Sequence, residues 1–379
     1  MIEPVHDNTS FNRLNIIASH INNSEVIEDI ESFDPSSPVI LKPTSKLTPK
    51  ACVRYNNADI GVYCKRKAVC DKRTHPTGED AYMFANNVKM TAIGVADGVG
   101  GWSEYNIDPS IVSLQLMQNC KQLFSSEQPN VKEDATQERL MEVETISHMS
   151  VPMPKRVLID AYSMLSTQKF VEAGSTTACV VTIDDSLNLS YANIGDSGFI
   201  VIRPSTGETI FRSREQQHYF NAPFQLAVIP PHIYQFCDPS LLLTDSPNDA
   251  ESETNVVQLQ DGDVIVMSTD GLLDNLFDHE IIKIVQNHYI DEQETSSFAL
   301  AKKLVQQARL RFDADQILDN HTPFSLGAEQ FLLSTGAINI NQCIAKQGKP
   351  DDVTCVVCVV GNCSPPVSPC ASLGEDVSC

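Results

Sequence analysis

The sequence predicts a layered α+β fold: antiparallel sheets packed face to face, with helices on their outer sides. Three observations carry this. Short apolar runs bounded by turn residues recur in two groups along the chain. Stretches with helical, amphipathic spacing lie between them. The 379 residues, 42% of them hydrophobic, can bury a large core.

Taken in order, residues 1–50 read as a polar arm ending in the Pro/Ser/Thr/Lys-rich Ser36–Lys50, expected to be flexible. The folded domain is expected over 51–361. The run KMTAIGVA, Lys89–Ala96, predicts a buried strand, and DGVGG follows as a tight turn. Asp108 and Pro109 open a helix as cap and first-turn residue. Ile111, Leu114, Met117, Cys120 and Phe124 share one of its faces. Residues 125–155 carry Glu133, Asp134, Glu138, Glu142 and Glu144 and read as an insertion or mobile connection. A second helix is expected near Lys155–Phe170. Three strands follow over Ser175–Ile183, Leu187–Ile194 and Gly198–Arg203, joined by turns read as hairpins, Asp184-Asp185-Ser186 and Gly195-Asp196-Ser197. Pro204 to Gln260 reads as irregular. A strand over Asp263–Ser268 meets Thr269-Asp270-Gly271. Helices are expected near His279–His288 and Ser296–Arg311, and a last strand over Val353–Val360. Residues 362–379, with Pro365, Pro366 and Pro369, read as a flexible tail.

Charge narrows the function. A formal net charge of -22 and a pI near 4.7 disfavour nucleic acid, whose phosphates need a basic footprint. An anionic substrate would also be repelled unless metal ions invert the local field. No apolar run of membrane-spanning length is present. The 12 cysteines follow no zinc pattern. Cys355 and Cys358 lie in a strand-like run, where positions three apart face opposite sides, so buried free thiols are expected. The segment up to Lys50 holds a single arginine, Arg13, beside Glu25, Glu28, Asp29, Glu31 and Asp34, unlike a mitochondrial presequence. No secretory signal is visible, so a reducing compartment is the default expectation.

Four aspartates end apolar β-like runs: Asp97, Asp196, Asp270 and Asp351. A carboxylate among apolar residues is costly without a compensating cation or hydrogen bonds. In antiparallel neighbours these positions fall on one edge, so the four are expected to converge as oxygen ligands for hard divalent cations. Gly98 would let the backbone come close and offer its carbonyl. Glu79 and Asp80 form a further acidic pair. An all-oxygen set suits Mg²⁺ or Mn²⁺, and two such ions about 3.5–4 Å apart suit phosphoryl hydrolysis. Each motif alone fits an ordinary acidic turn about as well.

Two protease readings compete. Gly195-Asp196-Ser197-Gly198 matches the nucleophile motif of trypsin-like enzymes, but no convincing histidine motif precedes it. Its Asp-Ser-Gly, with Thr269-Asp270-Gly271, also matches aspartic proteases. Those need a pseudo-repeat that is not found, and a dyad would leave Asp97 and Asp351 unexplained.

The motifs in order are GED (Gly78–Asp80), GVADGVGGW (Gly94–Trp102), GSTT (Gly174–Thr177), NIGDSGF (Asn193–Phe199), STDGLLDN (Ser268–Asn275) and PDDVT (Pro350–Thr354). Together they resemble the metal-dependent Ser/Thr protein phosphatases of type 2C. The segment REQQHYFNAPFQL, Arg214–Leu226, resembles their mitochondrial PTC seven branch. The resemblance covers roughly Cys64–Val360. It implies a four-layer α-β-β-α sandwich acting on phosphoserine and phosphothreonine in phosphoproteins, by in-line attack of a metal-bridging water. It implies that Asp97 bridges two metals and that Gly98 binds one through its carbonyl. Asp270 and Asp351 complete the other. Asp196 helps hold a weaker third ion, and Glu79 and Asp80 act through coordinated water. Asp97, Asp270 and Asp351 are thus the expected catalytic residues.

Two positions depart from the family pattern. Val99 stands where many members have a general-acid histidine, and His75, near Lys72 and Arg73, where many have a phosphate-gripping arginine. The missing histidine gives a rival: a catalytically weak, phosphoprotein-binding scaffold. The Arg214–Leu226 segment would shape substrate choice beside the cleft, unless Tyr219, Phe220 and Phe224 only fill a local core. A monomer in the mitochondrial matrix is implied, with the cytoplasm as the alternative set by the acidic N-terminus.

Overall fold

A computed structural model describes residues 50–55, 58–66, 77–87, 89–126, 153–291, 296–312, 321–337 and 347–361. The expected arm and tail, nearly all of the 125–155 insertion, and Lys72, Arg73 and His75 lie outside them.

The strands in chain order are β1 (Lys50–Tyr55), β2 (Ala58–Lys65), β3 (Asp80–Asn86), β4 (Met90–Asp97), β5 (Gly174–Thr176), β6 (Ala178–Asp184), β7 (Asn188–Ile194), β8 (Gly198–Arg203), β9 (Glu208–Arg212), β10 (Gln217–Tyr219), β11 (Ala222–Pro223), β12 (Leu226–Val228), β13 (Glu251–Gln258), β14 (Val264–Ser268) and β15 (Val353–Val360). The helices are α1 (Ser110–Ser126), α2 (Met153–Leu165), the single turn α3 (Asp270–Leu273), α4 (Asp278–Gln286), α5 (Ser297–Arg309) and α6 (Pro323–Ser334).

One sheet runs β1-β2-β15-β14-β8-β9 and the other β13-β7-β6-β4-β3, with every pairing antiparallel. The period-2 alternation of each strand decides which layer a residue joins. Ile93 and Val95 of β4 face the other sheet and meet Ile60, Met267 and Val356 there. Ala92 and Ala96 face outward and pack under α1 and α2 with Leu116, Met117 and Leu158. On the far side Ile200, Val266 and Val357 pack against Leu300, Leu304 and Val305 of α5. Small residues on the outer face of β4 let a helix lie close, while branched residues fill the middle. The four layers are those expected. Cys355 and Cys358 do face opposite layers, both as buried free thiols.

Several expectations need correction. Gly195-Asp196-Ser197 is not a hairpin: β7 and β8 belong to different sheets, and the turn carries the chain across the sandwich. Gly195, at φ 97, makes the change of direction possible. The run Ser175–Ile183 is broken at Thr177, because β5 leaves the large sheet to pair with β12. The stretch from Pro204 to Gln260 holds β9 to β13 rather than irregular chain alone. Its short or polar strands lack the clean alternation that would reveal them; β13 is largely exposed and bulged. KMTAIGVA is preceded by β1, β2 and β3.

Candidate metal centre

The two sheets meet at one end of the sandwich, and the acidic residues gather there. Asp80 opens β3 directly opposite Asp97, the last residue of β4. Like charges facing each other across strands are unfavourable, so the pairing marks a site held for another purpose than stability. Asp270 follows β14 of the opposite sheet as the first residue of α3, and Asp351 precedes β15. Asp196 sits on the crossing between the sheets. A cavity of about 230 Å³ is lined by Glu79, Asp97, Gly98, Asp196, Asp270 and Asp351, with Val99 and Lys349. Asp80 lies behind this wall, fully buried. The predicted site residues are therefore brought together at one seam.

Backbone contacts fix each position. The Thr177 N–H and the Thr176 hydroxyl both donate to Asp97 O, at 2.9 and 2.8 Å, and the Asp97 N–H donates to Thr177 Oγ1 at 3.2 Å. This is what GSTT does: it clamps the end of β4. Ser197 Oγ shares a 2.8 Å hydrogen bond with Thr177 Oγ1 and is buried, which leaves it no part as a nucleophile. Gly98 must be glycine, since a Cβ there would stand 2.2 Å from Pro109 O. Asp352, beside Asp351, has a different task. Its Oδ2 accepts the Glu79 N–H at 2.8 Å and so ties the β3 entry to the β15 entry. Thr269 Oγ1 donates to Asp80 Oδ2 at 3.0 Å.

The electrostatics are those of carboxylates crowded in low dielectric. Burial first, then the Asp270, Asp80 and Asp351 carboxylates, push Asp97 well above the usual range. Burial and then Asp352, Asp351 and Asp270 do the same to Asp80. Asp196 is raised by burial and Asp270, partly opposed by Lys349. Among the neighbouring charges, the Asp270 carboxylate acts on Asp97 most strongly.

Sequence reasoning missed Lys349 and Asp274. Lys349 Nζ bonds Asp270 Oδ2, reaches Asp274 Oδ2 at 3.0 Å and stands 3.5 Å from Asp351 Oδ2. Burial would lower its pKa, but Asp270, Asp274, Asp351 and Asp196 outweigh this and hold it well above the usual lysine value. Burial raises Asp274 to about 7, with Lys349 pulling the other way. Both residues stood inside quoted motifs or beside them, but nothing in the linear spacing shows that an ammonium will fold back between carboxylates. Lys349 is the one cationic side chain among the described residues lining the cavity.

The donor set fits a hard divalent ion. It is all oxygen, its burial and then its crowding raise its pKa values, and Asp80 Oδ1 is buried with no hydrogen-bond partner among the described residues. As placed, no group of three or more acidic, histidine or cysteine side chains among the described residues is drawn tightly enough to hold an ion.

The Arg214–Leu226 segment divides its residues. Phe220 packs between Phe324 and Phe331 of α6, with ring centroids 5.2 and 5.7 Å away. Phe224 stacks on His218 at 4.3 Å. Tyr219 is half exposed and, with Asn221 and Pro223, lines the cavity mouth.

A family profile described as "Stage II sporulation protein E (SpoIIE)" matches residues 91–324. Protein phosphatase PTC7 homolog of Danio rerio is 38% identical over 290 residues, 75% of this chain and 81% of that protein. The Homo sapiens protein of the same name is also 38% identical, over 75% of this chain and 79% of its own length. Among solved structures, the photosystem II phosphatase PBCP superposes with a TM-score of 0.58 at 25% identity, covering 80% of this chain and 99% of its own.

Proposed function

The chain belongs to the metal-dependent type 2C Ser/Thr protein phosphatases, on their PTC7 branch, and from that premise we propose which of its residues do the work. It is a protein serine/threonine phosphatase that depends on a divalent metal. The phosphoprotein-binding scaffold is not favoured. Asp97, Asp270 and Asp351 are the catalytic carboxylates in this proposal, and with Gly98 they would hold two Mg²⁺ or Mn²⁺ ions. Asp196 would help hold a weaker third. Glu79 and Asp80 would act at one remove, through water.

The observation that supports this most is the seam itself: carboxylates from both sheets line a single cavity. When bound, the metals supply Lewis-acid activation of the attacking water and neutralise the phosphoryl oxygens. The chain's residues do the rest. The Thr176–Thr177 clamp orients Asp97. Asp352 fixes Glu79 against the cavity wall. Val99 cannot donate a proton, so the leaving oxygen would be protonated by solvent within the site rather than by a side chain at that position. Tyr219, Asn221 and Pro223 would meet the polypeptide around the phosphorylated residue.

The enzyme is proposed to act as a monomer, on phosphoproteins, in the mitochondrial matrix. The phosphatase domain is proposed to span 51–361. No helix among the described residues is long and apolar enough to cross a membrane. Titrating Mn²⁺ into chelated protein while following hydrolysis of a small aryl phosphate tests the function. Activity should rise from zero with metal, and activity that is indifferent to chelator would overturn the assignment. Imaging a C-terminally tagged full chain tests the compartment.

A further inference from the structure

We propose that Lys349 is a tethered counter-cation of the metal centre: it holds the metal-free carboxylates together and retreats onto Asp274 when a divalent ion enters. This rests on the site assignment above and goes beyond it. The Lys349 ammonium touches Asp270, a proposed ligand, and stands 3.5 Å from Asp351, another. A divalent ion bound by the same two carboxylates would sit within a few ångströms of that ammonium and repel it. One of them must give way.

The structure supplies a second seat. Asp274 Oδ2 is already 3.0 Å from Nζ and is outside the proposed ligand set. It lies one helical turn beyond Asp270, and its N–H donates to Asp270 O at 2.7 Å, so the backbones that carry the two carboxylates are tied together. The Lys349 backbone is pinned separately. Asn275 Nδ2 donates to both Gly271 O and Lys349 O, each at 2.9 Å. The side chain can therefore swing while its root stays fixed. The Phe324 ring, 5.5 Å from Nζ, flanks the ammonium with an apolar face that does not compete for its hydrogen bonds. Metal affinity would then be set by an internal competition: the carboxylates bind the ion less tightly than their charge alone would give, and Asp274 limits that cost.

Calorimetric titration of Mn²⁺ into wild type, Lys349→Met, Asp274→Asn and the double variant tests this, together with melting in chelator. Lys349→Met should bind Mn²⁺ about tenfold more tightly, or better, because the competitor is gone. It should also melt lower in chelator and gain more from metal. Asp274→Asn, which removes the retreat and leaves the lysine, should bind Mn²⁺ more weakly. In the Lys349→Met background Asp274→Asn should change affinity little, whereas a general field effect of either charge would persist in the double variant. Unchanged or weaker binding in Lys349→Met, or additive effects in the double variant, would overturn the proposal. Should Lys349→Met not fold in chelator, Lys349→Gln and Asp274→Asn decide by the same signs. Failure of the site assignment looks different: wild type would then show no saturable Mn²⁺ binding, and Asp270→Asn would match it.

Discussion

Asp97 and Asp270 line the same cavity, although one ends a strand of the five-stranded sheet and the other follows a strand of the six-stranded sheet. A cation shared by them would bridge the two halves of the sandwich. On the proposed assignment, catalysis and the cohesion of this seam would be coupled, and the first expectation follows from it.

Asp97→Asn or Asp270→Asn should lower aryl-phosphate turnover in Mn²⁺ by at least about 10²-fold. In chelator Asp97→Asn should melt no lower than wild type, since it removes a repelling group, whereas Asp270→Asn also gives up its ion pair with Lys349 and should gain less. Steady-state kinetics and thermal melts check the pair. Near-normal turnover in either variant would exclude these residues from the site.

Metal should stabilise the fold. An ion that binds only the folded chain adds about 2.7 kcal/mol at a hundredfold excess over Kd. Scanning calorimetry with and without Mg²⁺ should show the melting temperature climbing with concentration. A flat response would mean that no ion is held.

The metal-free protein should lose stability as pH rises toward neutrality. Asp274 moves from an ordinary value of 3.8 to about 7 on folding, mainly through burial. A carboxyl with a raised folded pKa binds more protons in the native state. Its contribution is thus favourable below the unfolded pKa and is lost as pH climbs through the folded one. Asp80, Asp97 and Asp196 shift in the same direction. Melting in chelator should be higher near about pH 5.5 than near about pH 8, and Mg²⁺ should shrink the difference. The opposite slope would show that other groups dominate.

Gly271→Ala should disrupt the site through the backbone. The added Cβ would stand 1.9 Å from Asp352 O, between the Asp270 turn and the entry to β15. Overpacking of this kind costs about 1–3 kcal/mol, and here it would also separate Asp270 from Asp351. Urea denaturation measures the first effect and Mn²⁺ affinity the second. Wild-type values for both would show that the turn yields easily.

Phe220→Ala should affect protein substrates more than small ones. Phe220 anchors the Gln217–Pro223 hairpin to α6, while Tyr219 and Asn221 of the same hairpin line the cavity mouth. The expected result is a raised KM for a phosphopeptide with little change in kcat for an aryl phosphate. Equal losses on both would assign Phe220 to the stability of the whole site.

Much of the architecture was legible because local chemistry decides it. Val353–Val360 and Gly198–Arg203 are strands at the expected bounds, since continuous branched runs between turns leave little choice. The acidic ends of Asp97, Asp270 and Asp351 were legible for the same reason: a carboxylate closing a buried run needs an explanation. What escaped were elements whose partners make them strands. β13 is mostly exposed, and β5 and β12 are three residues long and exist through each other. Pro323–Ser334 has the start signals of a helix in Thr322 and Pro323, but Gly327 interrupts it and its apolar residues form no clear single face.

The amino-acid order alone determined that this chain folds as a layered α+β domain and carries oxygen donors for hard cations. Those depend on side-chain period and on the cost of burying charge, which neighbours in sequence already fix. Only the tertiary structure decided that Gly195–Ser197 crosses between sheets, that Asp352 works as a strut while Asp351 faces the cavity, and that Lys349 reaches the carboxylates. These are distances between residues remote in the chain, such as Lys349 and Asp270. They are set by which strands pair across the sandwich, and no spacing along the chain encodes that.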